Sequence, residues 1–443
     1  MNEVSNGLAA LIVVALLVGL TVLTWFVARR AFLPVAVHNG VWAVTLTLMG
    51  SGLIAYHGAS LAAWGVLVVG LAFFSVGAWG GAALASRTAR RADLAPRDHA
   101  LLSRRTLLIL SGAYVLGFGT YLWTILQRFG WETFLFQPGA IRGAAESYLA
   151  GVPLWARVLM YAGPLLLAVL LVPGSVRNGL AWWWRIPGAA LLAVSMLALL
   201  QRTNLFAGVL LAIGALLLLV YGRARNVDAP RSWYRRPWMP IAVIGAIGVG
   251  ALVAFQLLAG ALGKTGDVGA NVSPVLSASG LSSPFIYLTA GAPAFLSLVD
   301  STNGAWPPTG GSRVVYGDYN PQTFGTAFFE PILSFLPGFR TWNPVAPFAD
   351  VGTLTNVYTW LEPFYRDWRV IGVALGVALI GALVAFLCAT RKASATRWWL
   401  AALLVSTLFL ATFTQKTNNT LYLVTAAIVV VLGAVNARGQ RRT

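Results

Sequence analysis

Charge is scarce in this 443-residue chain: 10% of its residues are charged, only 13 are acidic, and 58% are apolar, with a mean hydropathy of +0.75. Soluble globular chains carry about a quarter charged residues, so this composition excludes that class and predicts a polytopic membrane protein. Cysteine is nearly missing. The single Cys388 lies in an apolar run, which excludes an intrachain disulfide and a thiolate metal cluster. Histidine numbers three, with His38 and His57 expected at opposite ends of one helix and His99 in a basic loop. No HExxH or paired spacing points to zinc.

Long apolar runs, by contrast, are abundant. A span needs roughly 20 apolar residues. Eleven stretches qualify, at 7–28, 36–57, 60–84, 106–127, 157–172, 186–200, 205–222, 238–262, 370–390, 398–414 and 421–437. The first lacks the basic leader and small-residue cleavage pattern of a secretory signal, so it is expected to stay attached with the N-terminus outside. Alternation then assigns to the cytoplasm the loops at 29–30, 86–105, 173–185, 222–237 and 391–397 and the tail after 437. Together these carry 21 of the 31 Lys and Arg but only three acids, Asp93, Asp98 and Asp228. The formal charge of +18 thus falls on one face, as the positive-inside rule requires, with the C-terminus inside. The basic excess orients the chain and implies no nucleic acid. No Asp, Glu, Lys or Arg is expected well inside a span, which argues against an ion-coupled transporter.

The fold class read from this pattern is an all-α polytopic membrane protein with about 11 transmembrane helices, N-terminus out and C-terminus in, and one large extracytoplasmic loop with short interfacial or re-entrant helices. Its domains are residues 1–262 (helices 1–8), 263–368 (a cap loop) and 369–443 (helices 9–11 with a basic cytoplasmic tail). The cap holds eleven of 21 prolines, seven of 13 carboxylates and 18 aromatic residues, too many aromatics for a solvated linker.

Residues capable of chemistry collect on the outer face. Arg202 sits in the short link 201–204, followed by a Thr-Asn suited to capping the next helix; a guanidinium beside a helix start suits an anion, as an interfacial position suits a snorkelling arginine. Arg142 and Glu146 are four apart, a spacing that fits a helical ion pair as well as a site. Lys416 lies in the polar link 415–420. In the cap, Arg313-Val-Val-Tyr316-Gly-Asp318-Tyr319-Asn320 alternates before a turn and sets Arg, Asp and two phenols close together; it reads either as a sugar-binding patch or as an ordinary turn. Residues 284–299 and 323–336 are apolar but interrupted by proline, and either form re-entrant or interfacial helices or pack the cap.

The densest polar-aromatic stretch, 354–368, runs directly into a span. Thr355-Asn356-Val357-Tyr358-Thr359, Pro363-Phe364-Tyr365 and Asp367 ahead of a Gly-rich span resemble the signature of the bacterial oligosaccharide repeat-unit polymerases, the O-antigen polymerase family. The Arg142 loop, Arg202-Thr203 opening a span, and Tyr287 through Phe295 resemble that layout too. One departure stands out: the family's Asp-Phe-Gly is Asp367-Trp368-Arg369 here. Glu362 matches no position of the pattern.

The resemblance implies a membrane glycosyltransferase at the outer leaflet of the inner membrane, moving a growing glycan from polyprenyl diphosphate onto a new lipid-linked repeat unit. Donor and acceptor are both polyprenyl-diphosphate-linked oligosaccharides, and a chain-length regulator protein is the implied partner. Under it, Arg142, Arg202, Arg313 and Lys416 are expected to bind diphosphate, and because arginines alone can handle a preformed diphosphate leaving group, neither a metal nor any other cofactor is expected. Asp318, or in second place Glu362, is expected to be the general base, with Tyr316, Asn356, Tyr358 and Tyr365 contacting sugar. A ligase or single-sugar transferase using the same donor, and a lipid-linked oligosaccharide flippase, are the alternatives.

Overall fold

The computed structural model describes residues 3–4, 6–89, 99–143, 151–177, 179–199, 202–223, 271–302, 314–315, 325–333, 348–391, 394–414 and 419–440. These are mostly helical. Seven helical stretches among them are long and apolar enough to cross a membrane: Asn6–Val27, Phe32–Gly50, Leu61–Arg87, Arg104–Phe136, Leu154–Leu171, Thr203–Tyr221 and Glu362–Thr390. The chain is therefore a polytopic, mainly α-helical membrane protein.

Seven expected spans have their counterpart in this set, and the differences elsewhere have local causes. The second ends at Gly50, where Ser51 and Gly52 (φ 75°) turn the chain, so His57 lies beyond the helix and His38 near its middle. The sixth forms Trp182–Ala198, 17 residues carrying Arg185 and Pro187. The tenth stops at Leu408, and tight turns through Phe413 take up the rest. The eleventh is an apolar helix over Thr420–Val435, and 238–262 lies outside the described residues.

The chain divides into two compact units. The first comprises Met1–Asp93, Asp267–Thr390 and Thr407–Thr420; the second comprises Leu94–Gly266, Arg391–Ser406 and Leu421–Thr443. The described parts of the cap loop thus belong to the first unit together with the first three helices.

In the first unit the helices Leu61–Ala89 and Glu362–Thr390 run in intimate contact. Lipid tails are as apolar as leucine, so burial of apolar surface cannot drive such pairing; van der Waals packing does, and small residues permit it. A Cβ on Gly77 would run into the carbonyl oxygen of Ala378, one on Gly81 into that of Ala382, and one on Gly381 into that of Phe74. The opposite face of the second helix exposes Leu375, Leu379 and Leu383, a stripe at four-residue spacing that suits lipid. Asn6–Val27 packs on Phe32–Gly50, where the buried Asn39 amide donates to Leu17 O (3.2 Å) and to Thr21 Oγ1 (3.0 Å).

Two small antiparallel sheets finish this unit. Glu3–Val4 pairs with Ala59–Ser60, and Phe348–Asp350 lies between Val314–Val315 and Leu354–Thr355, with Val314 opposite Ala349 and Ala349 opposite Thr355. Of the two apolar cap stretches, the first forms Ser282–Thr289 and Gly291–Thr302, bent by 46°. Ala292 through Val299 are buried, so that half packs the interior of the unit. The second forms the short helix Thr326–Leu333, which leaves Phe329 and Ile332 exposed.

In the second unit the Ser103 hydroxyl caps Arg104–Phe136 by accepting from Thr106 N at 3.1 Å. Gly130, at φ 78°, breaks that helix near its end. Gly117 and Gly163 admit the Leu154–Met160 and Gly163–Leu171 helices, Gly208 seats Arg202–Arg223 on Pro164 and Leu167, and Gly214 meets Ala402.

Gly77→Leu should lower the stability of the detergent-solubilised protein by ~2 kcal/mol or more, because the added side chain must displace backbone. Gly80→Leu, whose Cβ would meet nothing within 4 Å, should stay within ~0.5 kcal/mol. Thermal unfolding followed by tryptophan fluorescence compares the two.

Candidate functional site

The polar-aromatic stretch ahead of the last helix of the first unit folds as a unit of its own. Leu354–Thr355 closes the small sheet, and Trp360 N then donates to Ala411 O at 2.9 Å. A helical turn from Glu362 through Asp367 follows. It breaks at Trp368 (φ −142°, ψ 23°) and Arg369 (φ 56°, ψ −141°) before the helix resumes. Glycines make this turn possible. A Cβ on Gly372 would strike the carbonyl oxygen of Phe364, and one on Gly376 the Phe364 ring, so the turn doubles back against the helix that it feeds.

Arg369 is the one residue other than glycine with positive φ among the described residues. It stands where the resemblance calls for glycine, and the backbone there takes a conformation that glycine adopts freely and other residues at a cost of roughly 1–3 kcal/mol. Its guanidinium lies 5.3 Å from the centre of the Tyr365 ring.

Around this break four polar groups are fixed by specific contacts. Glu362 and Arg366 form an i,i+4 ion pair at 3.4 Å, both largely shielded from solvent. The Asp367 carboxylate accepts from Ala327 N (3.1 Å) and Phe328 N (2.9 Å), capping Thr326–Leu333 from forty residues away. Phe328 then stacks on Phe364 at 4.8 Å, and Gly325 sits against the Trp368 ring. The Tyr365 hydroxyl shares a 2.9 Å hydrogen bond with Thr302, and its ring meets Phe295 edge-on.

Nearby, Asp300 accepts from the Ser60 backbone N–H at 2.9 Å and from the Ser60 hydroxyl, while that hydroxyl accepts from Ala63 N. Tyr56 bonds Thr289 at 2.6 Å, and burial pushes its phenol well above the ordinary range.

Of the residues expected to form the site, Glu362, Asn356, Tyr358 and Tyr365 are thus gathered in one segment. Tyr358 and Tyr365 are buried, so their rings shape the segment from within; Asn356 is half-buried. Glu362 carries Arg366 as its ion-pair partner, a pairing that the spacing of four allowed and the search for a base passed over. Arg313, Tyr316, Asp318 and Lys416 lie outside the described residues.

The other two predicted cations belong to the second unit. Arg142 is on the short helix Pro138–Gly143, and Arg202 opens the helix Arg202–Arg223, which places Thr203 and Asn204 in its first turn rather than ahead of it as a cap. Sequence reading missed a third, Arg157. Taken as the edge of a span, it is half-buried on the helix Leu154–Met160, whose Ala156 and Leu159 pack on Gly117, midway along the 104–129 part of the long helix. Its Nε is buried and has no hydrogen-bond partner among the described residues. Gly208, six residues after Arg202, rests on Pro164 and Leu167. A guanidinium Nε that is buried without a partner suits a phosphate-bearing ligand. The packing partner of a helix start is something that no hydropathy window contains.

Arg369→Gly should raise stability by about 1 kcal/mol by relieving the backbone, and Asp367→Ala should lower it by about 1–2 kcal/mol through loss of the cap. Thermal unfolding of each variant checks both signs; a destabilised Arg369→Gly would show that the guanidinium contributes more than the strain costs. Comparison of the chain with protein-family models, with curated proteins and with solved structures finds no match.

Proposed function

We propose that this chain is a glycan polymerase of the bacterial inner membrane, joining polyprenyl-diphosphate-linked repeat units at the outer leaflet. In this reading the chain crosses the membrane eleven times, N-terminus out and C-terminus in, with the 354–368 segment on the exterior side. The observation that carries it is the backbone at Arg369. The motif that resembles the polymerase signature departs from it where Asp-Phe-Gly becomes Asp367-Trp368-Arg369, and the position of the missing glycine has the glycine-type conformation.

The chemistry follows from the groups available. An acceptor sugar hydroxyl attacks the anomeric carbon of the donor chain as the bond to the diphosphate breaks; the hydroxyl proton passes to a carboxylate, and the diphosphate leaves on its lipid. Asp318 is the first choice for that carboxylate and Glu362 the second, with Arg366 holding Glu362 in place. Negative charge grows on the departing diphosphate, and fixed cations lower the barrier where it appears. Arg142, Arg202, Arg313 and Lys416 are assigned to it, and Arg157 joins them. Asn356 serves the sugars, together with Tyr316, while Tyr358 and Tyr365 support the segment.

Arg202→Ala and Arg313→Ala should each cut polymer formation by about 100-fold or more, measured as the glycan ladder made by purified protein from lipid-linked repeat units. An unchanged ladder from both variants would sink the assignment. A single addition in place of a ladder would identify a ligase, and lipid translocation without elongation a flippase.

A further inference from the structure

His38 is fully buried near the middle of Phe32–Gly50. Its ring stacks on Phe74, with centroids 3.9 Å apart and planes at 16°, and is flanked by Trp360 at 5.4 Å and Trp42 at 6.4 Å. All four belong to the first unit. Trp42 and Trp360 are as buried as the histidine.

The hydrogen-bond network settles which ring nitrogen carries the proton. Asn39 spends its amide N–H groups on Leu17 O and Thr21 Oγ1, so its Oδ1 is an acceptor. His38 Nδ1, 2.8 Å from that oxygen, must donate. The Nε2 of the neutral ring keeps its lone pair, and no partner for it exists among the described residues. The indole N–H groups of Trp42 and Trp360 are likewise buried without an acceptor. One orphaned acceptor and two orphaned donors therefore share a single aromatic cluster. Buried polar groups are nearly always satisfied, and each exception calls for an explanation.

The set is selective. A cation is refused by the two indole N–H dipoles and finds only one lone pair, an anion is refused by that lone pair, and a carbonyl oxygen can accept from the indoles but has nothing to give Nε2. A hydroxyl does both. We propose that His38 Nε2 and the indole N–H groups of Trp42 and Trp360 form an internal site for one hydroxyl, supplied by a water molecule or by an alcohol. Three partners are what a buried water ordinarily has.

The site has a structural consequence. Trp360 lies two residues before Glu362 and is tied by its backbone to Ala411, so a hydroxyl bridging it to His38 pins the 356–362 stretch to the transmembrane helices. The inference stands apart from the glycan reading and survives its failure.

Nitrogen-15 NMR of the full-length protein in lipid nanodiscs, labelled at its three histidines, tests it. His38→Gln assigns the signal by removing it. The expected result is an Nδ1–H tautomer whose Nε2 resonance is hydrogen-bonded, with a cross-peak to an exchangeable proton. That cross-peak should disappear in Trp42→Phe/Trp360→Phe while the His57 and His99 signals hold. Correlation to bulk water identifies the hydroxyl as water, and correlation to aliphatic protons identifies an alcohol. An Nε2 resonance typical of a bare acceptor, or an Nε2–H tautomer, overturns the proposal. Should the double variant fail to fold, the wild-type spectrum alone decides.

Discussion

Backbone contact between Leu61–Ala89 and Glu362–Thr390 is the constraint on which the first unit rests. In lipid the pairing of two helices is worth only what their surfaces gain by fitting, so close approach through Gly77, Gly81 and Gly381 has to be maintained along the whole contact. The consequences reach both ends. One helix carries Phe74 against His38; the other begins with the Glu362–Asp367 turn. Ser60, held by Asp300, starts the first helix at a defined residue. Moving either helix by one turn would therefore displace the aromatic cluster and the carboxylates together.

The helical, membrane-spanning character of the chain was legible because apolar runs are a one-dimensional signal. Helix ends were less so. The second helix was read to residue 57 since Tyr56 and its apolar neighbours continue the run, but Gly52 turns the chain and Tyr56 is hydrogen-bonded to Thr289, more than two hundred residues away. Division into units was invisible for a related reason. Each unit is assembled from three separated stretches, and nothing local in 391–406 announces that it packs with 99–223.

At the candidate site, residue types were legible and their pairings were not. Asn356, Glu362 and Tyr365 stood out in a dense motif, yet the capping role of Asp367 depends on a helix forty residues upstream. The departure at Arg369 stood out only against the glycine of the family that the motif resembles, and the backbone explains why it matters: the turn requires positive φ whatever side chain occupies it. Arg157 shows the opposite failure, a charge at the edge of an apolar window whose surroundings are set by the neighbouring helix at Gly117.

The attachment of Thr326–Leu333 to Asp367 closes a loop in the chain, and closing a loop has a cost that depends only weakly on its length, about 0.6 kcal/mol for each doubling. The anchor is therefore far less sensitive to the length of chain between its two ends than to the groups at the ends themselves. Such an arrangement makes the frame indifferent to how far apart along the chain its two ends lie, because the two backbone hydrogen bonds act only where those ends meet.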